Sequence, residues 1–585
     1  MDRPANVQNA IRVMVVGDSI SHGREGDWTW RYRLWEWFAS EGIDVRFVGP
    51  YKGTVLHDKP HPPRPPRLVG EPPDPPASPR TDGGYAAGID REFLSNSNHF
   101  AVNGRQAGQA KDLIAEQVAA HQPDLCLVEL GFNDLGWRVC GPIETLVSMK
   151  HLVDEARSAK PDLKFAIANI PHRTDLPGRE DLPVDTDLYN RMLAQAIPYW
   201  NTHKSPIALV RFCENYSCGG TCSDAAYDGL HPNALGDYQL AQAFSRTLVS
   251  AFSLGRSPLA IPEHIPPRPL PTPTRFEAVA TPSGIVVTWD AVYGAYGYDL
   301  EHRLVGEDKW TISHMDCNRY DRQRLRKGQT LECRIRTSGG DSLKSPWSSI
   351  SSAVANPETA PPPSNIITHA TATGFTISWD TPPPPFAGEI DRYGIIYFDG
   401  DQPGAFPCLV GARGNSAELR GLAPGHRHYI TVETWTTVGG GGLPASARAV
   451  VVGRGAPPVP AFVRGVALGA RIVELNWRAV PGAAGYDVWI RRGKAIHDRL
   501  GLPACPKLEL GVLAKPVECR DSGSNPGIVT AILSVEHSVW DWEYAVSAYN
   551  GDDSSLSEWV TAAALAQELV CLSEGDSIHV HVRHG

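Results

Sequence analysis

No apolar run in this sequence approaches the ~20 residues needed to cross a bilayer, so no membrane-spanning helix is expected. A basic excess is also lacking. Lys and Arg number 55 against 65 Asp and Glu, a formal charge of −10. That balance argues against nucleic acid as a partner, because its binders carry a basic patch. The opening residues Met1-Asp2-Arg3-Pro4 lack the basic and apolar regions of a signal peptide. Either the chain is not exported by that route, or a leader lies outside this sequence. The 11 cysteines are an odd number and commit to neither an oxidising nor a reducing compartment. Cys317 with Cys333, and Cys505 with Cys519, can each close a local loop. Cys213, Cys218 and Cys222 cluster, but a metal site needs a fourth ligand and none stands at the usual spacing. A disulfide or inert thiols are the preferred reading, and no metal or organic cofactor is expected.

What is present is enough for several folded units. A length of 585 residues suggests about four domains. Hydrophobic residues at 42% and charged residues at 21% describe a globular chain able to bury several cores. Residues 1–255 alternate short apolar runs with helical patterns. The runs are Arg12–Val16, Val45–Val48, Leu125–Leu130, Phe165–Ile170 and Ile207–Val210. Near-continuous apolar strands fit a parallel sheet covered on both faces. Between them Trp30, Leu34, Trp37 and Phe38 share a helical face, as do Leu113 with Val118, Leu146 with Met149, Val153 and Ala156, and Leu240 with Ala243, Phe244 and Leu248. The expectation is a three-layer α/β/α domain with a flavodoxin-like parallel sheet. Residues 57–82 interrupt it with prolines and read as an irregular insertion bordering the active site.

Proline-rich punctuation near residues 262–273, 361–363 and 457–460 repeats at roughly 90–100 residues, a domain-scale period. Each unit opens on an alternating strand ending in tryptophan (Trp289, Trp379, Trp477). Each continues with a strand beginning at tyrosine (Tyr298, Tyr393, Tyr486). Short alternating strands with regular turns imply β-sandwiches. With Leu422-Ala423-Pro424-Gly425 ahead of Tyr429 in the second unit and Tyr544–Ala548 in the third, these units resemble fibronectin type III domains. The first departs, carrying Leu331 where a tyrosine is expected. The expected boundaries are 271–356, 362–452 and 457–567, with 568–585 as a tail whose Ile578, Val580 and Val582 form one edge strand or a loose end.

Chemistry concentrates in four short pieces of the first 232 residues: Gly17-Asp18-Ser19-Ile20, Asn103-Gly104, Gly131-Phe132-Asn133-Asp134 and Asp228-Gly229-Leu230-His231-Pro232. Gly-Asp-Ser alone is weak and recurs at Ser342 and Ser577, which read as surface loops. Ser19 differs because it follows an apolar strand and precedes a helix, at the carboxyl edge of a parallel sheet where such domains bind ligands. Asn133 follows another strand and offers a side-chain amide. Gly104 lies in a turn where its bare backbone N–H can approach a substrate oxygen. Asp228 stands three residues before His231, able to hold one imidazole nitrogen while the other faces the serine. His22 reads as a loop residue lining the entrance, Arg105 and Asp134 as further substrate contacts. Of Trp28, Trp30, Trp35 and Trp37, most belong in the core and one reaches the pocket.

At these residues the chain resembles the SGNH superfamily of GDSL-type esterases and lipases. Ser19, Gly104, Asn133 and His231 match its four blocks and Asp228 its usual aspartate. His99–Gly104, Asp228–Asn233 and Trp30-Arg31 resemble the carbohydrate acetylesterases of that superfamily, with Arg105 standing where those often carry tryptophan. The resemblance implies a serine esterase. His231 deprotonates Ser19, Asp228 orients His231, and Ser19, Gly104 and Asn133 form the oxyanion hole. The implied substrate is a small acyl ester, an O-acetyl group on a carbohydrate polymer. Activity should fall on acidification through the imidazole range near pH ~6.5. The rivals are a lipase or lysophospholipase of the same superfamily, and a polymer-binding scaffold with an inactive esterase domain. Fibronectin type III modules are expected to dock on a polysaccharide or surface. The combination resembles exported polymer-degrading enzymes, so an extracellular location is suspected and left open.

Overall fold

The computed structural model describes residues 10–75, 78–493, 527–535, 538–564, 570–574 and 577–581, the last two by their backbone. Its N-terminal part is built on a parallel sheet of strands β1 (Ile11–Gly17), β2 (Val45–Phe47), β3 (Phe100–Ala101), β4 (Leu125–Glu129), β5 (Lys164–Ala168) and β6 (Ile207–Val210). The order is β2-β1-β4-β5-β6. The short β3, too brief to register as a sequence pattern, pairs with β1 at Val16 and Gly17, beyond the reach of β2. β1 and β4 bury nearly every side chain, which is why they lack polar alternation: helices cover both faces. On one face Trp30–Ser40 packs against Ala234–Phe252, with the Trp30 and Phe244 rings stacked at 4.7 Å. On the other lie Ile114–His121, Pro142–Ala159 and Asp181–Trp200. Leu113 departs from expectation: it precedes its helix and is exposed, leaving Ile114 and Val118 to face the core.

All-β units follow. In the first, strands Glu277–Thr281, Gly284–Thr288 and Arg319–Gln323 form one antiparallel sheet. Gly297–Leu304, Thr311–Met315, Thr330–Ser338 and Ser351–Val354 form the other. The second unit repeats this two-sheet plan. In the third, Arg464–Gly469 pairs parallel with Val560–Ala564 and joins both sheets into one path. The tryptophan–tyrosine repeat has a packing cause. Trp289 meets Tyr298, Trp379 meets Tyr393 and Trp477 meets Tyr486 edge-on, with centroids 5.3, 5.0 and 5.2 Å apart. All six rings are buried, so one aromatic pair fixes each core. Leu331 fills the first core as an aliphatic substitute. In the second, His428 is buried while Tyr429 points outward. Tyr544 of the third donates its hydroxyl to Val539 O.

One sequence alternative is narrowed and one expectation is corrected. Of the disulfide and inert-thiol readings, Cys213, Cys218, Cys317 and Cys333 are free thiols. Cys505, Cys519 and the side chain of Cys222 lie outside the described residues. In the tail, Val570–Glu574 and Ser577–His581 pair with each other as a ribbon instead of adding one edge strand.

The first β-unit is fastened to the N-terminal domain by a buried carboxylate. Asp27 accepts from the Tyr296 hydroxyl at 2.8 Å and pairs with Arg268 of the connecting segment. The proline-rich insertion reaches further. Val69 N donates to Gly411 O, Gly411 N donates to Arg67 O, and Arg392 donates to Pro66 O, so it extends an edge of the second unit. Replacing Asp27 with alanine leaves the Arg268 guanidinium buried without its carboxylate, an expected loss of about 3–5 kcal/mol. A urea-unfolding midpoint equal to the wild type's would show that the pair contributes nothing.

Candidate active site

β1 ends at Gly17, and the chain turns at once into the single helical turn Ser19–His22. Asp18 caps that turn, accepting the Ile20 N–H at 2.9 Å. Ser19 therefore stands at the carboxyl edge of the sheet. The loop before Ala234–Phe252 brings His231 to it: Ser19 Oγ lies 2.8 Å from His231 Nε2, and His231 Nδ1 lies 2.8 Å from Asp228 Oδ2. The other Asp228 oxygen accepts the backbone N–H groups of Leu230 and His231. Burial pushes the Asp228 carboxyl up. The hydrogen bond and charge of His231, with those two backbone donors, outweigh it and hold the group below the ordinary carboxylate range. An ionised Asp228 selects the tautomer with its proton on Nδ1, leaving Nε2 to accept from the serine.

Gly104 sits in a turn closed by Arg105 N to Val102 O, with Val102 N donating to Gly17 O. Its φ is +76°, and a Cβ there would come within 2.8 Å of the Trp137 ring. Among the described residues the N–H groups of Ser19 and Gly104 carry no hydrogen bond, leaving both available to an oxyanion. Asn133 lies beside them on Phe132–Gly136, but both its amide hydrogens are engaged, by Asp18 Oδ2 at 3.2 Å and Arg105 O at 3.1 Å. It must release one to serve as a donor.

Three expected substrate contacts are placed differently. His22 is buried rather than at the entrance. Its Nδ1 accepts the Asn103 N–H at 3.2 Å, and burial, with Arg31 and Arg105 nearby, lowers its pKa to about 3. A neutral imidazole thus anchors the Gly104 turn. Arg105 is buried over the Phe100 ring, and Asp134 is buried accepting the N–H groups of Ala107 and Gly108. All three side chains are buried, although His22 Nε2 and one terminal nitrogen of Arg105 find no hydrogen-bond partner among the described residues. Trp30, Trp35 and Trp37 are core. Trp28 borders an apolar chamber that Ser19 does not line.

The sequence reading missed the layer beneath. Arg31 is fully buried and donates to Ser21 O, His22 O, Gly53 O, Ser97 O and the Tyr85 hydroxyl. Asp18 and Glu129 are a buried carboxyl pair. Burial raises Asp18 to about 6, against the lowering effect of the Ile20 N–H and His231, and burial with the Asp18 charge raises Glu129 well above its usual range, while the Ser21 hydroxyl donates to Glu129 at 2.8 Å. Such a pair retains a proton, because two ionised carboxylates in one dry site repel. Tyr227 stacks on His231 with ring centroids 5.7 Å apart. Only the adjacency of Tyr227 to Asp228 hinted at this.

The site opens into a cavity of about 530 Å³ lined by Ser19, Asn103, Asp228 and His231, with Leu56, His57, Asp58 and Arg80 of the proline-rich insertion on one side. Among the described residues no helix is long and apolar enough to cross a membrane.

Comparison with known proteins follows the two halves of the chain. Residues 13–244 match the family described as GDSL-like Lipase/Acylhydrolase, and residues 360–452 match the Fibronectin type III domain. No curated protein matches the chain. Among solved structures, a carbohydrate esterase family 3 protein from Talaromyces cellulolyticus shares 21% identity over 42% of this chain and 98% of its own, with a TM-score of 0.31. A family 3 carbohydrate esterase of Clostridium thermocellum shares 18% over 42% and 100%, with a TM-score of 0.30. The FN1–FN3 domains of chicken CNTN1 share 14% over 51% and 100%, with a TM-score of 0.17. The family matches, not these likenesses, carry the assignment. Residues 13–244 thus carry a GDSL-like lipase/acylhydrolase domain, and the chain is a carboxylic ester hydrolase with a fibronectin type III domain in its C-terminal half.

Proposed function

We propose that the N-terminal domain hydrolyses small acyl esters, O-acetyl groups on carbohydrate, through an acyl-enzyme on Ser19. His231 Nε2 takes the Ser19 proton as Oγ bonds to the ester carbonyl carbon. The carbonyl oxygen becomes an oxyanion facing the N–H groups of Ser19 and Gly104, with the Asn133 amide as third donor once it turns from Asp18 or Arg105. Collapse breaks the carbon–oxygen bond to the alcohol, which leaves with the proton from His231. Water then repeats the sequence on the acyl-serine and frees the acid. Asp228 stays ionised and stabilises the imidazolium. The observation that carries this reading is the unbroken chain from Ser19 Oγ through His231 to Asp228, both links at 2.8 Å, at the floor of an open cavity.

The preference for a short acyl group and a polar alcohol follows from what surrounds Ser19. The cavity wall is largely charged and polar, with short aliphatic contributions from Ile20, Val55 and Leu56. An apolar chamber of about 480 Å³ does exist, near Trp28, Leu235 and Leu343. Neither Ser19 nor His231 lines it, and Tyr227, Tyr296 and Asp237 border both spaces. A long acyl chain therefore has no apolar path from the nucleophile, which disfavours the lipase reading.

Ser19→Ala should abolish release of nitrophenol from 4-nitrophenyl acetate, and equal rates in variant and wild type would exclude the mechanism. Asp228→Asn should lower kcat by about 10⁴ with little change in fold, because the amide no longer enforces the productive tautomer. Gly104→Ala, strained at its positive φ and crowded by Trp137, and Asn133→Ala should each lower kcat by about 10²–10³. Across a series of nitrophenyl esters, kcat/KM should decline from acetate upward. A maximum at eight carbons or more would favour lipid as substrate.

A further inference from the structure

The cavity above Ser19 is not a property of the hydrolase domain alone. Its far wall is made by the first β-unit: Tyr296, His314, Asp316, Ser338, Asp341 and Lys344 face the same space as Ser19 and His231. The two walls are held in fixed register. Asp27 takes the Tyr296 hydroxyl and Arg268, Arg24 donates to Tyr296 O at 2.7 Å, and Asp341 N donates to Tyr227 O at 2.7 Å. His57 of the insertion bonds Ala295 O, and Tyr293 donates its hydroxyl to Tyr85 O. Gly340 approaches so closely that a Cβ would lie 2.3 Å from Tyr227 O. The Tyr296 ring stacks on Tyr227 with centroids 3.8 Å apart, and Tyr227 stacks in turn on His231. A three-ring column thus runs from the β-unit to the catalytic imidazole, and the β-unit cannot be a spacer independent of the site.

What this wall offers a ligand follows from which of its groups are already satisfied. Lys344 and His314 are paired with Asp299, and Arg80 with Asp58. The exposed side chains of Asp316 and Asp341 make no hydrogen bond or ion pair among the described residues. Arg24 lines the same cavity, spends one nitrogen on Tyr296 O and feels the charges of Asp316 and Asp228. Free carboxylate acceptors and a guanidinium donor on one cavity suit a ligand dense in hydroxyl groups, each able to donate and accept. The charged lining is Asp27, Asp58, Asp228, Asp237, Asp316 and Asp341 with Arg24, Arg80 and Lys344, an acidic excess with cations interspersed, which suits an uncharged ligand better than a polyanion.

We propose that the first β-unit is the second wall of the active site, where Asp316 and Asp341, with Arg24 lining the same cavity, bind the alcohol portion of the ester, a neutral saccharide. This rests on the esterase reading above. In that arrangement the acyl group lies over Ser19 and the sugar lies between the two domains. A substrate without a sugar uses the floor of the cavity only.

The test uses the full chain. Steady-state constants are measured for 4-nitrophenyl acetate and for partially acetylated xylo-, manno- and cello-oligosaccharides. The comparison is between wild type, Ser19→Ala and the double variant Asp316→Ala/Asp341→Ala, with thermal midpoints to show that the exposed substitutions leave the fold intact. In the double variant, kcat/KM for at least one saccharide ester should fall tenfold or more relative to that for nitrophenyl acetate, chiefly through KM. If the ratio of the two constants stays within threefold of wild type for every saccharide, or if the wild type turns over none of them, the proposal is overturned. Nitrophenyl acetate activity surviving in Ser19→Ala would instead sink the esterase reading, so the two failures are separable.

Discussion

The site depends on one buried cation. Arg31 sits fully inside the N-terminal domain with no carboxylate beside it among the described residues, and its donors go to oxygens of four different segments. Two of those segments are the turn that carries Ser19 and the lead-in to β3 and Gly104. The other two flank the proline-rich insertion, at Gly53 and Tyr85. A guanidinium taken out of water is costly unless every N–H is met. The carbonyls that meet it therefore have little freedom to be elsewhere. This constraint also explains the neighbouring histidines. His22 and His99 lie close to Arg31, and burial with that charge holds both neutral, so each can accept a backbone N–H from the Asn103 or Ala101 stretch. The Gly104 turn is thus set by acceptors that protonation would destroy.

Much of this was legible in the sequence, and the limits are physical. Strands such as β1 and β4 announced themselves because burial on both faces demands continuous apolar runs. β3 did not, because two residues carry no period. The aromatic repeat of the β-units was visible as spacing, since each tryptophan and its tyrosine must meet inside one core. At the site, Ser19, Asp228 and His231 were legible because short local motifs at strand ends leave few alternatives for where a side chain can go. His22, Arg105 and Asp134 were misplaced for the converse reason. A polar residue near a nucleophile reads the same in sequence whether it faces the ligand or the scaffold, and the difference lies in contacts up to 81 residues away, as with His22 and Asn103. Tyr296 could not have been found at all, because its ring reaches the site from another domain.

The carboxyl pair of Asp18 and Glu129 adds a second layer of order. Asp18 caps the Ser19 turn and holds the Asn133 amide, while Glu129 ends the neighbouring strand and takes the Ser21 hydroxyl, to which Trp30 also donates. Strand β1, strand β4 and the helix beginning at Trp30 therefore meet in one dry hydrogen-bonded knot directly under Ser19. Precision at Ser19 comes from below, through this knot, and from the side, through the Tyr227 ring against His231.

The insertion's edge pairing with the second β-unit closes the hydrolase domain and the first two β-units into a ring. The chain leaves the hydrolase domain, passes through two β-units, and is then stitched back to the hydrolase domain at Arg67–Val69 and Gly411. In a bicyclic arrangement of this sort, each closure raises the effective concentration at which the other forms, because neither end can diffuse away. Each contact therefore favours the other: the stitch at Gly411 helps hold the first β-unit over the cavity, and the first β-unit helps hold the stitch.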